Sequence, residues 1–69
     1  MITMQDAYAY ALTHASGFKI ELRPDGVVIG KEHAFSIITP LALERINKGH
    51  LGLDFHVNLL KEAIDSCVK

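Results

Sequence analysis

A single cysteine, Cys67, stands among the 69 residues, so no disulfide can close within the chain and a disulfide-stapled scaffold is excluded. No uninterrupted apolar run approaches the roughly 20 residues that a bilayer-crossing helix requires, which excludes a transmembrane reading. An excess of either charge is also lacking: 7 Lys and Arg stand against 8 Asp and Glu, a net charge of −1. Bulk electrostatics therefore give no support to a polyphosphate binder. With two prolines and five glycines the chain has no low-complexity linker, and it has no internal repeat. The N-terminal Met-Ile-Thr-Met-Gln-Asp has neither the basic start nor the apolar stretch of roughly 7–15 residues that marks a secretory signal. A cytoplasmic chain is expected, and a lone thiol suits a reducing compartment. Beside Ile64 and Val68, Cys67 reads as a small buried hydrophobe rather than a nucleophile.

What is present is ordinary globular material. Hydrophobic residues make up 49% and charged residues 22%, and the length suits one domain spanning residues 1–69. Thr3, with Asp6 three residues on, is a capping-box-like start to a helix from Met4 to Ala15. Its inward stripe is Met4, Tyr8, Ala11, Leu12 and Ala15, with Tyr10 on the other side, and Ser16-Gly17 ends it.

Phe18-Lys19-Ile20-Glu21-Leu22-Arg23 then alternates apolar and charged without a break, which predicts a half-buried strand with Phe18, Ile20 and Leu22 inward. Pro24-Asp25-Gly26 is a turn in which Gly takes the positive φ, and Val27-Val28-Ile29 returns as the second arm of a hairpin. Gly30-Lys31-Glu32-His33 reads as a connection to a third strand, Ala34 to Ile38. Thr39-Pro40 starts a helix to Lys48, with Leu43 and Ile46 inward and Gly49 as its stop.

The last third supports two readings. Leu51, Leu53, Phe55 and Val57 alternate like a fourth strand, after which Asn58 would cap a shorter helix. A helical stripe of Leu53, Val57, Leu60, Ile64 and Cys67 runs further, and favours a helix from Asp54, with Asp54 as cap, to the end. The expected fold is α+β in the order α-β-β-β-α-α. An antiparallel sheet is covered on one face by helices, and Lys19, Glu21 and Arg23 face water on the other.

Chemistry-bearing patterns are sparse. His14, His33, His50 and His56 form no His-x-x-His, His-Glu-x-x-His or Cys-x-x-Cys spacing, so no metal site is expected; His50, just past a helix end, suits the helix dipole. Ser16, Ser36, Ser66 and Cys67 are nucleophiles by type alone, without an evident base and orienting group. Glu21 and Asp25 lie on an exposed hairpin, while Glu44, Glu62 and Asp65 read as solvated helix faces. Gly30-Lys31 lacks the upstream glycine of a phosphate loop. A chain this short has little room to enclose a pocket of about 300 Å³. The expectation is no enzyme and no cofactor.

Two binding classes remain. The closing helices, joined by Gly49-His50-Leu51-Gly52, have the layout of a helix-turn-helix, and a small nucleic-acid-binding transcriptional regulator is the alternative reading. Its second helix would carry Asp54, Glu62 and Asp65 outward, and phosphate repulsion opposes that docking, while Lys19, Arg23 and Lys31 clustered on the hairpin leave a β-ribbon reader open. The favoured class is a non-enzymatic protein-binding module. Its contact is expected on the hairpin face, through Lys19, Glu21, Arg23 and Lys31, with Tyr10 as aromatic anchor. Apolar residues in excess of one small core point to a further partner surface, for which a homodimer is one occupant. Short motif-free chains of this kind are frequent among bacterial and phage accessory proteins that inhibit or regulate a larger complex. Host-defence inhibitors such as anti-CRISPR proteins are one example, and the expectation is placed in that class.

Overall fold

A computed structural model of the chain describes residues 1–49 and 52–68. Thr3 sets the start of α1 (Met4–His14): its hydroxyl accepts from the Asp6 amide at 3.1 Å, while the Asp6 carboxylate accepts from the Thr3 amide at 2.9 Å. The reciprocal pair satisfies donors that a first helical turn leaves without partners. Of the expected inward stripe, Ala11 and Ala15 are buried and Met4 and Tyr8 pack against the core, but Leu12 is 53% exposed and Ala7 is buried instead. Three alanines in register let the helix approach the sheet more closely than a leucine stripe would, and that rotation turns Leu12 outward.

Three antiparallel strands follow in the order β1 (Lys19–Arg23), β2 (Gly26–Lys31) and β3 (Ala34–Ile38). Ile20 and Phe18 pack against the core as the alternation predicts, but Leu22, near the end of an edge strand, stays 41% exposed. The second strand is longer than Val27–Ile29. Gly30 and Lys31 pair with Phe35 and Ala34, which shortens the connection to Glu32-His33, with Glu32 at φ 55. Between β1 and β2 only Pro24 and Asp25 turn the chain, and Gly26 follows at φ 151. A Cβ on Gly26 would run into the carbonyl oxygen of Ile38 and lie 2.9 Å from the Ile37 side chain. Backbone conformation and space both demand glycine there.

Thr39 caps α2 (Pro40–Asn47) by accepting from the Ala42 amide at 3.1 Å, and Leu43 and Ile46 are buried as expected. The last element is a helix, α3 (Leu53–Val68), which overturns the strand alternative for the described part of that segment. It begins one residue before Asp54, which therefore sits in the first turn instead of capping. Val57 and Ile64 are buried on its inner face, and Leu53, Leu60 and Val68 pack beside them. Cys67 is exposed, which corrects the expectation that it would be buried: Val68, four residues past Ile64, takes the inward position. His50 and the Leu51 beside it, and so the centre of the supposed helix-turn-helix connection, lie outside the described residues.

α1 and α3 pack on the sheet around one shared core. α1 crosses β1 and β2, and α3 crosses β2 and β3. Between the layers Ala7, Ala11, Val27, Ile29, Ile38 and Val57 are fully buried. Polar ties close the periphery. Lys61 donates to the carbonyl oxygen of His14 at 2.8 Å, placing a cation at the C-terminal end of α1. Asn47 accepts from the Ile2 amide and donates to the Ile2 carbonyl, both at 2.8 Å, which pins the N-terminus to α2. No helix among the described residues is long and apolar enough to cross a membrane.

Candidate functional site

Side chains on a strand alternate between faces, and paired residues share one. The register therefore lays two rows across the sheet face that the helices leave uncovered: Lys19–Gly30–Phe35 and Glu21–Val28–Ile37. Arg23 continues the charged column at the end of β1. Because Gly30 has no side chain, nothing fills the space between Lys19 and Phe35. An open trough of about 440 Å³ results, with Lys19, Glu21 and Arg23 along one side, Val28 and Gly30 in its floor and Phe35 on the other side.

The chemistry of the two sides differs. On β1 the Arg23 guanidinium donates to the Glu21 carboxylate at 2.9 Å. That hydrogen bond, with the charge of Arg23 behind it, holds the Glu21 carboxyl below its ordinary range and raises the Arg23 guanidinium. Lys19 has no ion-pair partner among the described residues. On β3, Phe35 is 73% exposed, an aromatic ring held on a rigid strand and turned to solvent. A partner would meet a fixed aromatic surface beside a ladder of alternating charge.

The five residues expected to form the contact do not all meet here. Lys19, Glu21 and Arg23 share the uncovered face, as expected, and there they line the trough. Lys31 reaches only its rim: by strand parity its side chain belongs to the helical side. There its ammonium lies 3.2 Å from the Asp65 carboxylate and 5.1 Å from the centre of the Phe18 ring. It clasps β2 to α3, and its charge is already engaged. Tyr10 lies on α1, in the opposite layer. It packs against the core, and its ring stacks on His14 with centroids 4.0 Å apart.

Phe35, Ile37, Val28 and Gly30 are the site residues that sequence reasoning missed. Within Ala34-Phe35-Ser36-Ile37-Ile38 the one polar residue, Ser36, reads as the outward position and would turn Phe35 and Ile37 inward; instead Ser36 pairs with the buried Ile29 on the helical side, and Phe35 faces solvent. The signal was available in the turn. A two-residue connection at Glu32-His33 sets Phe35 opposite Gly30, and through it beside Lys19.

Searches with protein-family models, among curated proteins and among solved structures find no match to this chain.

Proposed function

We propose that the protein is a non-enzymatic binding module that docks a larger protein on the uncovered face of its sheet. In this reading it acts in the cytoplasm as an accessory chain of the bacterial or phage kind, occupying a surface of a larger complex and thereby inhibiting or regulating it. The observation that carries the reading is Phe35, 73% exposed on a strand and set across the vacant Gly30 position from the Lys19, Glu21 and Arg23 ladder. An exposed aromatic on a rigid frame has little side-chain entropy to lose on docking, and alternating charge beside it fixes register. Net charge of −1 and a Glu in the middle of the ladder favour a protein over a phosphate backbone.

The test replaces Phe35 with the photo-crosslinking residue p-benzoylphenylalanine in cells of the source, with the same residue at Asn58, exposed on α3, as control. Position 35 is expected to give one reproducible adduct with a larger protein, and position 58 none. Gly30→Val supplies the second arm. It fills the trough while adding a β-branched residue to a strand, so the fold is kept and the adduct is lost. Equal adducts from both positions, or an adduct destroyed by nuclease, would refute the reading.

A further inference from the structure

We infer that β3 is the pairing edge for a second copy of this chain, so that two sheets join antiparallel into one of six strands. The two-residue turn at Glu32-His33 closes on the Lys31–Ala34 pair, and a tight turn of this kind closes on a hydrogen-bonded pair. Ala34, Ser36 and Ile38 therefore exchange bonds with β2, while Phe35 and Ile37 aim their amides and carbonyls away from the sheet. Among the described residues no strand takes those groups.

The charges choose between the two edges. Proteins protect a free edge with charged residues, proline or bulges. β1 has such protection: pairing it with its own copy over its whole length would set Glu21 against Glu21 and Lys19 against Arg23, like charge on like. Any shift that relieves this leaves strand ends unpaired. β3 has neither a charged residue nor a proline. Its full-length pairing centres on Ser36 and sets Phe35 of each chain opposite Ile37 of the other. That register brings together the outward-aimed amides and carbonyls, four hydrogen bonds in all, and makes two aromatic–aliphatic cross-strand pairs on the exposed face. The contact is isologous and closes as a two-fold dimer. A β3-to-β1 join would propagate without closing. Two five-residue edges bury less than the roughly 1,200 Å² of a standard interface, so the dimer is weak and reversible.

The inference stands apart from the binding reading, because it is tested on the purified chain alone. Sedimentation velocity from about 5 µM to 1 mM is expected to show a monomer giving way to a dimer. Over the same range, amide exchange at Phe35 and Ile37 slows, while Ala34, Ser36 and Ile38 are protected throughout. Phe35→Lys and Ile37→Glu each leave a monomer. The double variant regains the dimer, because the register sets the introduced ammonium of each copy opposite the introduced carboxylate of the other. A monomer at every concentration overturns the inference. So does a dimer whose Phe35 and Ile37 amides still exchange freely, since that contact would lie elsewhere.

Discussion

Replacing Gly26 with alanine, beside the same change at Gly17, separates two reasons for a glycine. Both sit at positive φ, 151 for Gly26 and 87 for Gly17. A Cβ on Gly17 would meet nothing within 4 Å, so its substitution carries only the backbone penalty, about 1 kcal/mol. At Gly26 the added carbon meets the Ile38 carbonyl oxygen, and Ile38 is fully buried in the core, where it has no room to retreat. Overpacking of this kind adds about 2 kcal/mol, for a total near 3 kcal/mol. A domain of 69 residues has a stability of only about 3–10 kcal/mol, so the Gly26 variant uses up a large share of it. Urea unfolding followed by far-ultraviolet circular dichroism, with m held common to the set, reads both variants against wild type. The urea midpoint should fall for both, about three times as far for Gly26→Ala as for Gly17→Ala. Equal losses would show that the turn bends away from Ile38 and would refute the steric account.

Glu32→Gly should raise stability by about 0.5–1 kcal/mol in the same urea assay, because Glu32 is exposed and held at φ 55, where a side chain is unfavourable; an unchanged midpoint would contradict it. Acid should destabilise the chain through Asp6. The Thr3 amide, and then the Thr3 hydroxyl, hold its carboxyl below the ordinary range, so the fold favours the ionised form. That contribution is present above the unfolded carboxylate pKa, near about 4, and is lost as pH falls through the lower folded value. Asp6→Asn should flatten the fall in midpoint between neutral pH and that window, and a fall as steep as wild type would contradict the assignment.

Most of the fold was legible because each element announces its own ends. Thr3 with Asp6 and Thr39 with Pro40 carry capping chemistry that acts over three residues. The alternation from Phe18 to Arg23 fixes both a strand and its faces. Errors arose where the decisive interaction is not local. The inward stripe of α1 follows from how close the helix can come to the sheet, and periodicity cannot tell Ala7 from Leu12 on that basis. Cys67 and Val68 are both small and apolar at the end of a stripe, and only the phase of α3 against the sheet chooses between them. The part of the candidate site on β1 was readable for the same reason as the fold: charged residues alternating with apolar ones must face water.

The apolar half of the site shows why a binding face hides in a short sequence. A strand that is apolar on one parity declares its buried side. A strand with large apolar side chains on both, as β3 has in Phe35 and Ile37 on one and Ile38 on the other, either lies inside a larger structure or meets a partner on the side its own domain leaves bare. Here the helices cover Ile38 and leave Phe35 at 73% exposure, on a protein with few aromatic residues to spare. Its own fold gains little from that ring, since solvent meets most of it, and an exposed edge aromatic is a hazard in the absence of a partner. If a polar residue at position 35 left binding, dimerisation and stability all unchanged, the ring would have no physical role, and both the docking face and the pairing edge would lose their basis.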